Sequence, residues 1–426
     1  MECKTTSLCL FDRTPIQTDI IRNYVSIRYP QTSIDSGSVI EFLIPGNDAE
    51  YIDVNDINLH VKFKIVNKDG TNLDDKDKVA VNNLAIATLF KDVSLTIGET
   101  RVEGGQHSYP YLGYFSTVMQ FQPQAQKSHM AVMGWCKDEA GKFDSDKNKG
   151  FVTREKWTAE SRVCELYGPL YLDFFRQSRF LMSKVDMRVH LLPNDPKFVL
   201  NSYGAKTEFK IVFESVRLYV RRMTVNPSVI NGHEMGLKKY DALYDVNHTE
   251  IHSFTIPRAQ KSFVKDSLFP IQSPKMIIVG LIANDAYNGN ISKNPLNFEH
   301  FGLNQIGLYR DTDCIPGTPF CPDFANGHYS RSYQNTMETF KYWNTDDTNG
   351  LTYDEFAKGY TLYAFDLTAN NEAGASYRPG TATKGLKLEF FFEKDLTKTV
   401  NVLIYAVFDS TIRINRLRDV SASYTS

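Results

Sequence analysis

Residues Ile57–Val66 read INLHVKFKIV. Ile57, Leu59, Val61, Phe63 and Ile65 alternate with Asn58, His60, Lys62 and Lys64. A period of two puts the apolar set on one side of a pleated strand and the polar set on the other. One face must meet a core and the other water, so the stretch predicts a half-buried strand. The pattern returns at Val93, Leu95 and Ile97, and at Val185, Met187, Val189 and Leu191. Phe209, Ile211 and Phe213 begin another run, which resumes out of phase at Val216, Leu218 and Val220. That slip at Glu214–Ser215 predicts a β-bulge in one long strand. Met276–Leu281 and Thr399–Phe408 are denser apolar runs, as expected of strands covered on both faces. Ile412 and Ile414 flank Arg413 in what reads as the last strand.

Turn residues punctuate these runs at Pro45-Gly46, Lys68-Asp69-Gly70, Pro193-Asn194 and Asp395-Leu396-Thr397. No long amphipathic helix is visible. The expectation is an all-β chain of sandwich type. A boundary falls near Arg221–Gly236, where alternation lapses around Pro227 and Gly232. Each half then holds a similar strand series, and Val216–Arg222 is faintly echoed by Ile412–Arg418. Two consecutive jelly-roll β-sandwiches, each of eight or so strands, are the economical architecture. The divisions are an N-terminal arm (1–29), a first jelly roll (30–225) and a second (226–426). Lys137–Lys149 is charged, and Asn284–Gly350 is rich in Asn, Gly, Pro, Tyr and Asp. Both read as long surface loops inserted into the scaffold.

The composition limits function. The chain has 426 residues, 42% hydrophobic and 23% charged, enough to bury sizeable cores. Aromatics at 13% favour strands. A net charge of −2 argues against nucleic acid as the main partner, since phosphate neutralisation calls for an excess of Lys and Arg. The charge-free run Thr399–Phe408 is far shorter than the ~20 residues of a membrane helix. Met1–Arg13 shows no secretory signal pattern. Six cysteines in a chain this long do not make a disulfide scaffold, and free thiols are expected. The triplets Asn247-His248-Thr249 and Asn290-Ile291-Ser292 are therefore read as without consequence.

No motif carries chemistry. Thr345–Phe356 (TDDTNGLTYDEF) resembles a calcium loop centred on Gly350, but Thr345 and Phe356 occupy the first and last ligand positions, where oxygen ligands are needed. Thr352 and Glu355 instead form a capping box opening a short helix that Gly359 stops. His248 and His252 share a strand face but lie too far apart to share a metal. Cys314 and Cys321 lack the second pair that a zinc site requires. Gly104-Gly105 reads as a hairpin turn. Asp74-Asp75 and Asp346-Asp347 read as solvated loop acids. Arg413, Arg416 and Arg418 could touch phosphate, and charges guarding a strand edge explain them as well. No catalytic, cofactor or metal residue is nominated.

Specific strings point further. Ser38–Asp56 (SVIEFLIPGNDAEYIDVND) resembles the opening of the major capsid proteins of Polinton/Maverick (adintovirus-like) DNA elements. Val81–Leu84 with Leu89-Phe90, Tyr109-Pro110-Tyr111, and Gly168–Asp173 (GPLYLD) are similar to later blocks of that family. So are Asn294–Phe298 with His300-Phe301, and Gly359–Thr368 (GYTLYAFDLT). Leu296 departs from the family's Phe. The resemblance implies a double jelly roll that assembles as a homotrimer of pseudo-sixfold outline and tiles an icosahedral shell with neighbouring capsomers. It also implies a penton or minor capsid partner, only non-specific contact with packaged double-stranded DNA, no membrane, and residence in the virion after intracellular assembly. Tyr329, Tyr333, Tyr342 and Trp343 are candidate anchors between subunits, because loop aromatics suit such interfaces. The rival functions are a non-catalytic glycan-binding β-sandwich module and a transient virion scaffold protein. A jelly-roll enzyme would need a His/carboxylate cluster that the sequence does not display.

Overall fold

The structure is a computed structural model that describes residues 16–35, 37–105, 107–373 and 385–424. Its first half contains β1 (Ile20–Arg28), β2 (Ile40–Ile44), β3 (Glu50–Asn67), β4 (Val79–Val81) and β5 (Phe90–Ile97). It continues with β6 (Thr100–Glu103), β7 (Cys164–Pro169), β8 (Met187–Pro193), β9 (Leu200–Ser202) and β10 (Phe209–Val225). The second half contains β11 (Ala242–Ile256), β12 (Ser262–Lys265), β13 (Met276–Ala283), β14 (Leu303–Arg310) and β15 (Asp313–Phe320). It ends with β16 (Leu362–Asp366), β17 (Leu386–Phe392), β18 (Val400–Ile414) and β19 (Val420–Tyr424).

Two four-stranded sheets, ordered β1-β10-β3-β7 and β2-β8-β5-β6, form the first sandwich. The second repeats this strand for strand as β11-β18-β13-β16 and β12-β17-β14-β15, with β19 added beside β18. Antiparallel strands that cross between facing sheets in this order make a jelly roll, so the chain is a double jelly roll. β4 and β9 pair as a separate two-stranded sheet.

Alternation dictates the interior. Along β10, Val216, Leu218 and Val220 lie opposite Val61, Leu59 and Ile57 of β3, and all six are buried. The predicted bulge is present as a register shift between Phe213 and Ser215. Phe213 stacks on Phe90 of β5 at 5.9 Å, closing the first sandwich across its two sheets. Phe254 of β11 does the same in the second, meeting Phe263 of β12 at 5.6 Å and Phe390 of β17 at 6.2 Å. Burying a ring of this size contributes about 1.5–3 kcal/mol.

Several sequence expectations give way. Residues 20–28, assigned to the arm, form β1, paired with β10 from Ile20↔Val225 to Arg28↔Leu218. Residues 1–15, including Cys3 and Cys9, lie outside the described residues. Arg221–Val225 continues β10, and the boundary itself is a helix, Pro227–Gly236, capped by the Asn226 side chain. The 284–350 excursion contains β14, β15 and the helix Ser330–Thr339. β15 escaped notice because an edge strand with Pro316, Gly317 and Pro319 has no buried row to alternate. Tyr109–Gln120 is a helix buried on nearly every side, so it has no polar face and no amphipathic period. The β5–β6 hairpin turns at Gly98, whereas Gly104 and Gly105 lead out of β6, and the Gly105 N–H donates to Asp92. Arg413 guards no edge, since β18 is flanked there by Leu243 of β11 and Ser421 of β19. The capping box at Thr352 and Glu355 is present as read. Cys136, Cys164, Cys314 and Cys321 are free.

Candidate assembly interface

The two rolls join through the helix Tyr109–Gln120, which leaves the first roll and lies over the second. Its sequence, YPYLGYFSTVMQ, starts with Pro in the first turn, where the missing N–H costs nothing. The rings of Tyr111, Tyr114 and Phe115 gather round Phe298 at 6.3, 5.9 and 5.1 Å. Phe115 also meets Tyr405 of β18 at 5.8 Å. Tyr405 lies opposite Ile251 and Ile278, on the face of the β11-β18-β13-β16 sheet that points away from Phe254. Gly280, opposite Leu403 in the same sheet, leaves room for Phe298: a Cβ there would stand 2.6 Å from its ring. Burial raises the phenol pKa values of Tyr111 and Tyr114 well above the ordinary range and pushes Tyr405 up to about 12, so these rings act as neutral packing groups.

A polar layer adjoins this aromatic one. Lys137–Lys149, expected as a surface loop, carries Asp138, Phe143 and Asn148 into the interior. Asp138 accepts from Arg154 at 2.7 Å, from Asn148 at 2.8 Å and from Asn294 of the second roll at 3.2 Å. Arg154 also donates to the carbonyls of Val81 and Cys136. The Tyr360 hydroxyl donates to the Asp138 carbonyl, and the Phe143 ring meets Tyr360 at 5.0 Å. The charges of this loop misled because composition does not say which charge is paired, and a buried charge needs a partner. Farther along the joint, the Thr249 N–H donates to Asp173 at 2.6 Å and the Thr100 hydroxyl donates to the Val420 carbonyl at 2.6 Å.

The joint makes the two rolls unequal. β18 is buried on both faces from Val400 through Phe408. Its counterpart β10 alternates buried and open positions along almost its whole length. β13 is buried throughout, whereas β3 is not. The first roll thus covers the outer face of the second roll's sheet along β18 and β13, whereas Leu243, Asp245, Asn247, Ser253 and Thr255 on β11 stay exposed; among the described residues, the matching face of the first roll is open. On that open face Val25 and Ile27 of β1 lie opposite Arg221 and Tyr219 of β10, with exposures of 44% and 42%. Tyr219 meets Tyr167 of β7 at 5.5 Å and His60 of β3 at 5.9 Å. Arg217 sits over the ring of Tyr29 at 5.3 Å. Sequence reading missed this patch although the Val25/Ile27 alternation is visible, because a single exposed strand buries too few residues to declare which side faces a core.

The four aromatic residues expected as subunit anchors separate. Tyr329 is buried, stacked on Tyr353 at 4.2 Å and Phe324 at 5.1 Å. Tyr333 donates its hydroxyl to the Leu351 carbonyl. Tyr342 donates to the carbonyls of Met119 and Gln120, tying this loop to the end of the joining helix. These three rings serve contacts within the chain. Trp343 keeps 49% of its surface exposed.

His248 and His252 do share a strand face, and both hydrogen-bond Glu250 between them, at 2.9 and 2.8 Å. Among the described residues, no three His, Cys, Asp or Glu side chains are placed to hold a metal ion. Among the same residues, no helix is long and apolar enough to cross a membrane.

No family model matches the chain. An uncharacterised protein of Caenorhabditis elegans, F54H12.2, is 23% identical over 393 residues, covering 89% of this chain and 92% of that one. Among solved structures, the cryo-EM structure of the Sputnik virophage holds a chain similar at TM-score 0.66 and 13% identity, covering 100% of this chain and 92% of its own. The PBCV-1 virus capsid holds another at TM-score 0.60 and 12% identity, covering 98% and 100%. The mavirus major capsid protein matches at TM-score 0.53 and 11% identity, covering 99% and 93%. At such identities the likeness is one of fold, and it extends over both jelly rolls.

Proposed function

We propose that this chain is the major capsid protein of a Polinton/Maverick-type DNA element and that its work is self-assembly, with no catalytic residue. Three copies form a capsomer of pseudo-sixfold outline, and capsomers tile an icosahedral shell in the virion, assembled inside the host cell. Its partners are its own copies, a separate penton or minor capsid protein, and packaged double-stranded DNA held non-specifically.

One observation carries the reading. Two rolls of equal strand order are joined head to tail, with one flank of the first pressed on one face of the second. An arrangement of this kind leaves the complementary surfaces open at the two ends of the chain, and a heterologous pair of open surfaces closes into a ring when the rotation suits. Six rolls in a ring require three chains. The full-length fold likeness to the mavirus major capsid protein supports the same reading. Of the loop aromatics, Trp343 is the one proposed as a contact between copies.

Light scattering coupled to size exclusion, followed by negative-stain images, tests the proposal. The expected particle contains three 48.6 kDa chains and shows a hexagonal outline. A monomer without such outlines would sink it.

A further inference from the structure

We infer that Glu103 and Asp173 form a proton-operated latch between the two jelly rolls of one chain: a proton held by the pair keeps the first roll on β11, and its loss lets the joint open. The latch belongs to the single chain and does not rest on the capsid reading.

Glu103 is the last residue of β6, and its carboxyl closes on the turn Asp173–Arg176 that follows β7. One oxygen accepts the Asp173 N–H at 2.7 Å and the other the Phe174 N–H at 2.6 Å. The Asp173 carboxyl in turn accepts the Thr249 N–H of β11 at 2.6 Å. Two carboxyl groups thus stand in succession where the rolls touch. Backbone N–H donors are neutral, so these bonds fix the carboxyls without cancelling their charge. The cations nearby are spent on other partners. Arg101 pairs with Asp92 at 3.5 Å, and Arg176 donates to Ser116 at 2.8 Å while lying over the Tyr171 ring. Tyr109 of the joining helix accepts the Tyr171 N–H. Across the joint, β11 presents Glu250 held by His248 and His252, and β18 presents Tyr405, a phenol kept neutral by burial. A cavity of 180 Å³ bounded by Asp92, Arg101, Glu103, Tyr109, His248 and Glu250 lies between the two sides. Carboxylates outnumber guanidinium groups around the latch.

Burial of two adjacent carboxylates and their mutual repulsion outweigh the N–H bonds, so the pair keeps one proton at neutral pH. Burial first, and then the Asp173 charge, push Glu103 up to about 8 against an ordinary value of 4.5. With the folded-state value raised, the latch is fully closed below about 4.5 and weakens as the pH rises through about 8. Once the proton leaves, both groups are anions. Asp173 then swings off the Thr249 N–H, and β11 loses its tie to the turn. Glu250 acts in the opposite sense, since its carboxyl is held at about 2 and its contribution fades only in stronger acid. The joint is therefore tightest in a mildly acidic medium and loosens towards alkaline pH.

Hydrogen exchange of the full chain across neutral and alkaline pH reads the latch at the Thr249 amide. Protection factors remove the intrinsic effect of pH on exchange. In the wild type, Thr249 protection should fall by up to about tenfold per pH unit and level off above about 8. Glu103→Gln has no proton to lose, so its profile should be flat whatever its level. Asp173→Asn keeps an oxygen for the Thr249 N–H and removes the neighbouring charge, so its levelling point should move to lower pH. The Val61 amide, in the core of the first roll, reports unfolding of the whole chain and should stay better protected than Thr249 throughout. A flat wild-type profile overturns the inference, as does a slope that both variants leave unchanged. Equal protection of Thr249 and Val61 overturns it too, because the rolls would then part only when the chain unfolds.

Discussion

Arg154 donates to Asp138 at 2.7 Å with both side chains almost wholly withdrawn from solvent, at the place where the first jelly roll meets the second. Neither residue belongs to a strand. The pair is stable because each remaining polar atom is engaged: Arg154 by two backbone carbonyls, Asp138 by Asn148 and Asn294.

Arg154→Met leaves the Asp138 carboxylate buried without its cation, and should cost about 3–5 kcal/mol of unfolding free energy. Asp138→Leu/Arg154→Met, which removes both charges, should cost less than the single change. Denaturant unfolding of the three proteins measures this. A single variant as stable as the wild type would show that the pair does not hold the joint.

Gly280→Ala should be destabilising by about 1–3 kcal/mol, because the added methyl meets Phe298 at 2.6 Å and Leu362 at 2.8 Å. The damage should be local to the joint. Near-ultraviolet dichroism, which reports the packing of Tyr111, Tyr114 and Phe115 around Phe298, should change more than the far-ultraviolet strand signal. An unchanged melting temperature would contradict the packing described.

Glu250 should confer acid sensitivity. Hydrogen bonds from His248 and then His252 hold its carboxyl at about 2, against an ordinary value of 4.5. A depressed folded-state pKa means that the unfolded chain takes up the proton first. The stabilisation is therefore complete above about 4.5 and fades as the pH falls towards 2. Glu250→Gln should flatten the fall of stability across that window, measured as unfolding free energy against pH. Parallel curves for the two proteins would remove Glu250 from the account.

Trp343→Ala should leave the unfolding free energy of the isolated chain within about 0.5 kcal/mol of wild type, since the side chain is half exposed. Its effect should fall on association between copies, read by light scattering across a dilution series. A large loss of monomer stability with unchanged association would place Trp343 among the intramolecular aromatics.

Deleting 284–350 would not test an interface loop, because β14 and β15 lie within it. Half of one sheet in the second roll would be lost.

Strand character was legible wherever one face of a strand is buried and the other wet. Ile57–Val66 and Phe209–Val220 declared their phase, their bulge and their place in a sandwich, because a two-residue period follows from the geometry of a single strand. The denser runs Met276–Leu281 and Thr399–Phe408 announced that something covers their second face. What covers it was not legible. The helix Tyr109–Gln120 is buried all round and so carries no period. The acidic charge in Lys137–Lys149 looks solvated until Arg154, some sixteen positions from Asp138, is brought beside it. Tyr329 and Trp343 are both loop aromatics, yet one is stacked between neighbours and the other half open. The sequence by itself determined two successive all-β sandwiches and the inward face of their main strands. Only the tertiary structure decided that the first roll covers β18 and β13 of the second and that, among the described residues, the first roll's matching face is left open. The reason is physical: a strand's period reports that a face is buried, and the identity of its cover is a long-range contact that no local pattern encodes.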